Sequence, residues 1–327
     1  MIISRTPLRM SFAGGGSDLP AYYRRFGGAV VSTAINQFVY VTVNRKFDNH
    51  IRVSYSRTEE ARSVAAIRHP LVREAMRMLG ISGGVEITSV ADIPGKGTGL
   101  GSSSTFTVGL LNALHAFAER HAGAEQLARE ACDIEIARCG EPIGRQDQYA
   151  AAFGGLNYLQ FNPDDSVTVE PIICRRATVE QLQSHLLTFY TGITRSASGI
   201  LQHQQQAVAT GKKPQAVLRR MVAQARALRE QLQRNDLSGI GDLLHEGWQL
   251  KKSLAHGISS GVIDGWYAAA RKAGAGGGKL LGAGAGGFLV FYAPPDRHAA
   301  IARALPKLRP VGFKFEPQGS RIIFVHQ

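Results

Sequence analysis

The sequence predicts a mixed α/β protein built from two domains. Its 327 residues are about twice the length of a typical domain, which holds roughly 150 residues. Strand and helix patterns alternate through the first half, whereas consecutive helix patterns dominate the second half. The composition, 44% hydrophobic and 19% charged, is typical of a globular chain and excludes disorder over most of its length.

The predicted elements of the first half rest on the period of their apolar residues. Runs that are rich in β-branched and aromatic residues, or that alternate between apolar and polar, predict strands at 28–43, 51–55 and 85–90. Apolar residues at helical spacing predict helices at 69–79, 105–117, 124–138 and 146–153.

The second half has a different texture. Helical periodicity predicts helices at 196–209, 214–234, 236–254 and 261–273. Short apolar runs predict strands at 186–191, 286–292, 309–315 and 321–325, with a short helix after the second of them. Basic residues alternate with apolar ones along 214–234, which predicts a solvated amphipathic helix.

The domain boundary is predicted from turn residues and from a change in charge. The turn-rich segment Asn162-Pro163-Asp164-Asp165 starts a stretch, 165–185, in which the boundary is placed. The chain has 38 Lys+Arg and 25 Asp+Glu, a net charge of +13. Residues 1–180 hold 19 basic and 18 acidic residues, whereas residues 181–327 hold 19 and 7. We therefore predict domains at 1–178 and 179–327.

The positive surplus admits three partner classes: nucleic acid, a membrane surface or an anionic small substrate. Three cysteines without CxxC spacing favour a reduced compartment and no structural zinc. Arg5 and Arg9 leave no room for the apolar part of a signal peptide. The uncharged run 280–295 is too short and too glycine-rich to span a bilayer. We expect a cytoplasmic protein.

The strongest chemical signal is the segment PGKGTGLGSSS, residues 94–104, at a predicted strand-to-helix junction. Its four alternating glycines leave the backbone free to approach a ligand. The serines open a predicted helix whose N–H groups and dipole favour a phosphate, and Lys96 adds a movable positive charge. The spacing fits neither a P-loop nor a dinucleotide fingerprint. A flexible surface turn is the alternative interpretation.

A second glycine-rich segment, PLRMSFAGGGSDLP, begins at Pro7. Its central part places backbone donors beside a carboxylate: Gly14, Gly15, Gly16, Ser17 and Asp18. That combination suits the hydroxyl groups of a sugar, and a simple hairpin is the alternative.

The third glycine-rich segment covers residues 274–287. Gly282, Gly284 and Gly287 match G-x-G-x-x-G, but a strand is predicted where a dinucleotide site needs a helix. Close backbone packing or a loop over a ligand fits better. In the second case we expect Gly284 and Gly286 to contact the substrate.

Together the three segments resemble the signature motifs of the GHMP kinase superfamily, which includes galactokinase, homoserine kinase, mevalonate kinase and phosphomevalonate kinase. Residues 94–104 resemble its central ATP-binding motif, residues 278–288 its C-terminal motif, and Pro7-Leu8-Arg9 with Asp18 its N-terminal motif. They occur in family order and span most of the chain. Three segments, RMSFAGGGSDLP, GLGSSSTFTVG and GRQDQY, most resemble the corresponding segments of heptose 7-phosphate kinases and fucokinase-type sugar kinases.

The resemblance implies a two-domain sugar kinase. Its N-terminal domain would have the ribosomal-protein-like βα fold and its C-terminal domain a ferredoxin-like αβ sandwich, with ATP and the sugar between them. The implied reaction phosphorylates the anomeric C1 hydroxyl of D-glycero-D-manno-heptose 7-phosphate, for the synthesis of nucleotide-activated heptose. The implied ATP-binding residues are Pro94, Lys96, Gly97, Gly99, Leu100, Gly101, Ser102, Ser103 and Ser104.

The resemblance also assigns metal and catalytic residues. Ser103 and Glu135 would hold Mg²⁺, which prefers oxygen ligands. Asp147 would be the general base for the sugar hydroxyl, and Arg9 would pair with it and stabilise charge on the transferred group. An exposed helix carboxylate at Glu135 and a helix cap at Asp147 are the alternatives.

The sugar is assigned to the N-terminal segment. Asp18, with the glycines and the serine before it, would form hydrogen bonds with sugar hydroxyls. Arg24, Arg25 and Arg195 are candidates for binding the phosphate of a sugar phosphate, and each could instead be a surface arginine.

Two other functions remain open. A kinase of the same superfamily for L-fucose or galactose fits the same motifs. A protein of a different class, which senses ATP or sugar and binds nucleic acid through its basic half, fits the charge. The presence of Asp147, Glu135 and Ser103, and the lack of a recognisable nucleic-acid motif, weigh against it. We expect a small sugar phosphate as the partner, and neither nucleic acid nor membrane.

Overall fold

Twelve strands and eleven α-helices lie in the described residues, 1–94, 97–194 and 198–326, of a computed structural model. The strands are β1 (Ile2–Ala13), β2 (Gly28–Arg45), β3 (Ile51–Ser54), β4 (Thr58–Ala61), β5 (Val85–Ala91), β6 (Leu156–Phe161), β7 (Val167–Pro171), β8 (Leu186–Tyr190), β9 (Gly277–Leu280), β10 (Phe288–Tyr292), β11 (Arg309–Pro310) and β12 (Arg321–Val325).

The α-helices are α1 (Pro20–Phe26), α2 (Pro70–Leu79), α3 (Ser102–Phe117), α4 (Ala124–Cys132), α5 (Gln146–Phe153), α6 (Arg176–Ser184), α7 (Ser198–Thr210), α8 (Lys212–Gln233), α9 (Ile240–Lys252), α10 (Gly261–Lys272) and α11 (His298–Ala304). Short 3₁₀ turns cover Val64–Ala66 and Pro295–Arg297, and a π-helical segment, Asp133–Arg138, continues α4.

Two sheets organise the described strands. The larger follows the order β12-β1-β2-β5-β3-β4, and β6 joins it by pairing with the first part of β2 and with β7. The smaller follows the order β11-β8-β10-β9, and all its pairs are antiparallel. Helices separate most of the strands along the chain, so the predicted mixed α/β class is confirmed.

The antiparallel pair of β1 and β2 lies at the centre of the larger sheet. The last eight residues of β1, 6–13, are all buried, because α3 and α8 both pack against this pair of strands. Two register shifts interrupt the pairing, one after Pro7 and one after Ser11. Between the shifts Arg9 lies opposite Ala34. The Arg9 side chain reaches α5, where it donates to Asp147.

Helix α3 approaches β1 closely because it carries a glycine at the contact. A Cβ atom at Gly109 would lie 2.7 Å from Oγ1 of Thr6, and the Ser4 hydroxyl donates to the Gly109 carbonyl at 2.7 Å. Most other residues of α3 are buried, and the apolar ones among them are Val108, Leu110, Leu111, Ala113 and Leu114. This contact holds the middle of α3 against the strand that carries Arg9, and the Arg9 backbone N–H donates to the Leu100 carbonyl just before the helix at 3.2 Å.

Helix α8 confirms the predicted amphipathic pattern. The helix packs against β1 and β2, and its buried face includes Leu218 and Ala225. Arg219, Arg220 and Arg226 lie on its exposed face. Much of the positive surplus of the second half is therefore on solvated surface.

The structure places several segments differently from the sequence analysis. The turn at 162–165 connects β6 to β7 inside the larger sheet. The strand predicted at 309–315 is limited to Arg309–Pro310. The last strand, β12, pairs with β1 and so belongs in space to the first sheet. The division at 178/179 stays a prediction along the chain, and this pairing crosses it.

A buried turn between β9 and β10 contains a non-glycine residue in the left-handed region. Ala285 has φ +63° and is 7% exposed, and its N–H donates to the Ile258 carbonyl at 2.9 Å. The left-handed conformation costs an L-residue other than glycine about 1–2 kcal/mol. Strain is therefore stored in the turn that leads into β10.

We predict that Ala285→Gly raises the free energy of unfolding by about 0.5–1 kcal/mol, since glycine adopts this conformation without strain. Urea unfolding measures the change. Ala269→Gly in α10 is the matched control, and it should destabilise the protein by about 0.5–1 kcal/mol because its backbone is helical. Equal destabilisation by both substitutions would contradict the strain at Ala285.

Candidate active site

A cavity of about 620 Å³ lies where the two halves of the chain meet. Its walls come from β1 and the loop after it, the glycine loop before α3, the start of α5, and parts of α7 and α9. The lining residues are Arg9, Gly16, Asp18, Leu19, Gly97, Thr98, Gly99, Gly101, Ser102, Ser103, Ser104, Glu135, Glu141, Ile143, Gly144, Gln146, Asp147, Thr194, Leu201, Gln204, Lys251, Gly282 and Ala283.

The glycine loop has the backbone that the sequence predicts. Gly97, Gly99 and Gly101 all have positive φ, and α3 begins directly after them with Gly101, which has no side chain, at its N-cap position. Gly99 packs against the Leu281 backbone so closely that a Cβ atom has no room. Ser102 and the two serines after it line the cavity. The free N–H groups and the helix dipole favour an anion there.

Three other predicted ATP-binding residues differ from this group. Leu100 is fully buried, and its carbonyl accepts from the Arg9 backbone N–H at 3.2 Å. Pro94 is exposed and is not among the described lining residues. Lys96 lies outside the described residues.

Arg9 and Asp147 form a two-pronged ion pair in the cavity. Nε and one terminal nitrogen of Arg9 each donate to a different oxygen of Asp147 at 2.8 Å, and the other terminal nitrogen donates to the Gly99 carbonyl at 2.7 Å. Arg9 is only 3% exposed. Asp147 lies in the first turn of α5, where the helix dipole also favours its negative charge. The pairing that the resemblance implied is therefore present.

Asp18 is buried beside this pair. Its carboxylate accepts from the Gly16 backbone N–H at 2.8 Å and from the Gln146 side chain at 3.1 Å. Gly144 passes so close that a Cβ atom there would overlap the carboxylate. Burial raises the pKa of Asp18 above its usual value, and the charge of Asp147 acts in the same direction. A polar ligand that donates hydrogen bonds would stabilise the charged form.

Ser103 and Glu135 are adjacent in the cavity wall. The Ser103 hydroxyl donates to one oxygen of Glu135 at 2.8 Å, and the Gln148 amide donates to the other at 2.5 Å. Glu135 is fully buried, on the π-helical segment after α4. Burial raises its pKa to about 7, although the hydrogen bonds from its neighbours favour the charged form. The exposed-carboxylate alternative for Glu135 is wrong.

The glycines and the serine of the N-terminal segment divide into two groups. Gly16 lines the cavity. Gly14 and Ser17 instead hold the start of β2, because Gly14 packs on the Ala29 carbonyl and the Ser17 hydroxyl bonds with the Ala29 backbone. Gly15 lies against the Gln146 side chain. Three of these four residues therefore support the segment and are not among the described lining residues.

The C-terminal glycine segment has mainly a packing role. Gly284 and Gly286 were expected to contact substrate, but they pack against the backbones of Ile258 and Ile193, where a Cβ atom would overlap. Neither is among the described residues that line the cavity, whereas Gly282 is. The close-packing interpretation therefore explains these two glycines.

Two of the three candidate phosphate-binding arginines, Arg24 and Arg25, are not among the described residues that line the cavity. Arg24 pairs with Asp165 at 2.9 Å on the surface, and Arg25 is exposed next to the Phe26 ring. Both follow from their place on α1, whose buried face is formed by tyrosines. Arg195 lies outside the described residues.

Sequence reasoning missed several lining residues from the second half, among them Gln204 on α7 and Lys251 on α9. Lys251 follows Leu244 and Trp248 on the buried face of its helix. A lysine at an apolar position of a helical pattern was the signal that could have found it. Gln204 carries no comparable signal.

Comparison with known proteins decides the family. The profile described as GHMP kinases N terminal domain matches residues 64–155, and the profile described as GHMP kinases C terminal matches residues 228–310. The D-glycero-alpha-D-manno-heptose 7-phosphate kinase of Campylobacter jejuni is 30% identical over 322 residues, which cover 94% of this chain and 93% of that protein. The chain belongs to the GHMP kinase family.

Solved structures confirm the two-domain GHMP kinase fold. A crystal structure described as a D-glycero-D-manno-heptose 1-phosphate kinase from Bacteroides thetaiotaomicron is 27% identical, with a TM-score of 0.81 and complete coverage of both chains. The galactokinase of Lactococcus lactis, 16% identical, has the same fold, with a TM-score of 0.79 over 98% of this chain and 94% of that one.

This GHMP kinase is an ATP-dependent phosphotransferase that acts on a sugar hydroxyl. The L-fucokinase/L-fucose-1-P guanylyltransferase of Bacteroides fragilis is 27% identical over 92% of this chain, which spans 35% of that longer protein.

In the described part of the chain, none of the helices combines the length and the apolarity needed to cross a membrane.

The contact between Gly99 and the Leu281 backbone yields a prediction for this kinase. A methyl group at Gly99 must displace the loop from that backbone, so we expect Gly99→Ala to lower kcat/KM for ATP by about tenfold or more. Steady-state kinetics with varied ATP measures the loss.

Gly80→Ala is the matched control, because Gly80 has a similar φ of +71° but no atom within 4 Å of an added Cβ. It should lower stability by about 1 kcal/mol and leave the kinetics unchanged. If both alanine variants kept the same kcat/KM, the loop contact would not position ATP.

Proposed function

We propose that this GHMP kinase transfers the γ-phosphoryl group of ATP to the C1 hydroxyl of D-glycero-D-manno-heptose 7-phosphate, giving the 1,7-bisphosphate. The relative from Campylobacter jejuni is named a heptose 7-phosphate kinase, and the solved structure from Bacteroides thetaiotaomicron a heptose 1-phosphate kinase. Both names specify a heptose phosphate, and they differ in the phosphate that is already present. The observation that supports this reaction most directly is the Arg9–Asp147 pair, which lies beside Asp18 in a cavity that also contains the N-terminus of α3.

Asp147 is the proposed general base. It takes the proton of the sugar hydroxyl while the sugar oxygen bonds to the γ-phosphorus and the bond from phosphorus to the ADP oxygen breaks. Arg9 uses one lone pair on each carboxylate oxygen, which leaves others free to accept from the sugar. Arg9 also fixes the orientation of the carboxylate.

The polar groups around Asp18 support a sugar as the acceptor. Gln204 is 1% exposed, and its amide nitrogen has no hydrogen-bond partner among the described residues. The side-chain oxygen of Gln146 is also buried and lacks such a partner. A donor and an acceptor that are both unsatisfied match hydroxyl groups, which donate and accept. Because Gly16 has no side chain, the Gln204 amide can lie next to it, whereas a Cβ atom at this position would overlap the amide.

The other end of the cavity is the proposed phosphate site. The loop of Gly97, Gly99 and Gly101, with the first residues of α3, presents backbone N–H groups to ATP. Ser103 and Glu135 would hold Mg²⁺, and a hydroxyl next to a buried carboxylate suits this hard cation. When bound, Mg²⁺ supplies positive charge to the phosphates of ATP.

A panel of acceptors tests the proposed substrate. ADP release and ³¹P NMR of the product are measured with D-glycero-D-manno-heptose 7-phosphate, the corresponding 1-phosphate, L-fucose and D-galactose. We expect the highest kcat/KM with the 7-phosphate and a new phosphate on the anomeric carbon. L-Fucose is the second candidate, because fucokinases are among the relatives. Turnover of fucose without turnover of the heptose phosphate would reject the proposed substrate.

Asp147→Asn tests the general base. Asparagine keeps the shape of the side chain but cannot take a proton, so kcat should fall about 10²–10⁴-fold while ATP binding persists. Asp133→Asn is the matched control, because Asp133 pairs with Arg138 on the surface. The base assignment fails if the Asp147 variant keeps a kcat close to that of the Asp133 variant.

Gln204→Leu tests the sugar end of the cavity. Loss of the unsatisfied amide should raise KM for the sugar by about tenfold and leave KM for ATP unchanged, because a buried hydrogen bond to the acceptor is lost. Gln206→Leu, on the exposed face of the same helix, is the control. An unchanged sugar KM in the Gln204 variant would show that this amide does not contact the acceptor.

A further inference from the structure

Lys251 lies at the cavity although its position in the helix is an apolar one. It follows Leu244 and Trp248 on the buried face of α9, and it is 7% exposed. The next residue, Lys252, lies on the outer side and pairs with Asp264 at 3.1 Å. Two consecutive lysines of one helix therefore have opposite environments.

The hydrogen bonds of Lys251 leave part of its ammonium group available. Its Nζ donates to the Gly282 carbonyl, which belongs to the turn that packs against Gly99. An ammonium group carries three donors, and this contact uses one of them. The side chain lines the cavity, so the remaining donors are available to a ligand.

The charge of Lys251 is not neutralised within the described lining. Arg9, the other cation that lines the described part of the cavity, is paired with both oxygens of Asp147. Lys251 forms no ion pair with a carboxylate of the described residues. A buried ammonium without a counter-ion is costly, so its position is more readily explained by an anionic ligand than by packing.

We propose that the ammonium group of Lys251 contacts the transferred phosphoryl group and stabilises its negative charge during transfer. The bond from the γ-phosphorus to the sugar oxygen forms, the bond to the ADP oxygen breaks, and the hydroxyl proton moves to Asp147. Lys251 exchanges no proton and acts through its charge. The inference rests on the proposed function, because it requires transfer to a sugar hydroxyl in this cavity.

The neighbours of Lys251 favour the transferred group over a phosphate already on the acceptor. Its contact at Gly282 places it beside the glycine loop, where the phosphates of ATP are expected. The charges of Arg9, Asp18 and Asp147 all act on it, and these residues surround the proposed acceptor hydroxyl. The 7-phosphate of a heptose is separated from C1 by the whole sugar. Lys251 therefore lies where the donor and the reacting hydroxyl meet.

The pH dependence of kcat/KM distinguishes a charge role of Lys251 from a packing role, because packing does not require the side chain to be protonated. Burial lowers its pKa to about 8, the charge of Arg9 on β1 acts in the same direction, and Asp18 and Asp147 oppose them. Lys279 on β9 is the other buried cation nearby. Below about pH 8 the free enzyme carries the charged form, and above it the charge is lost. We expect kcat/KM to fall above about pH 8 and kcat to fall at higher pH, since bound phosphates favour the charged form.

Lys251→Met is the direct test, with Lys252→Met as the matched control. Methionine fills the same space without charge, so kcat should fall about 100-fold or more while KM for ATP and for the sugar stays within about threefold. The control should keep the wild-type kcat. Unchanged kcat in the Lys251 variant, or a raised sugar KM with kcat retained, would overturn the proposal, and the second result would assign Lys251 to the phosphate of the acceptor.

The wild-type pH profile tests the inference without any variant that could misfold. A kcat/KM that stays flat from pH 7 to about pH 9.5 would overturn it, because a charge needed for transfer must be lost in that range. Lys251→Arg should remove the fall near pH 8, since arginine stays charged. All assays use the acceptor that the wild-type enzyme phosphorylates best. A preference for fucose would therefore reject the proposed substrate and leave the test of Lys251 intact.

Discussion

Arg9 and Asp147 connect the central strand of the larger sheet to the first turn of α5 through two hydrogen bonds of 2.8 Å. The same guanidinium donates to the Gly99 carbonyl, so one buried side chain fixes the proposed base, the glycine loop and β1 together. Arginine suits this place, because its planar group forms paired hydrogen bonds and stays charged when buried. A lysine has no comparable geometry. The relative positions of the proposed phosphate site and the proposed sugar site therefore depend on this pair.

The charge of the cavity differs from the charge of the chain. The chain carries a net charge of +13, but basic residues of α8 such as Arg219 and Arg226 lie on solvated surface. The described lining contains four carboxylates, from Asp18, Glu135, Glu141 and Asp147, and two cations, from Arg9 and Lys251. Such a cavity attracts ATP only through local groups: the N-terminus of α3, the proposed Mg²⁺ and the individual cations. The surplus charge of the second half is thus a poor guide to the site.

Local signals in the sequence predicted the parts of the site that depend on local backbone. The alternating glycines and the serines after them predicted the loop and the start of α3, and α5 was predicted at its observed bounds. Strand β1 was missed because buried polar residues such as Arg9 and Ser11 obscure its pattern. Lys251 reaches the cavity only through the packing of α9, which periodicity along the chain does not encode. Long-range contacts of this kind, such as the pairing of β12 with β1, could not be predicted from patterns along the sequence.

The central claim is that Arg9 and Asp147 act as one catalytic unit, and a double-mutant cycle on kcat tests it most directly. The variants are Arg9→Met, Asp147→Asn and the two combined, each assayed with saturating ATP and sugar. When two residues act as one unit, removing either residue removes the contribution of both. The kcat of the double variant should therefore be within about threefold of the kcat of the slower single variant. If instead the two losses multiply in the double variant, Arg9 and Asp147 contribute independently and the account is contradicted.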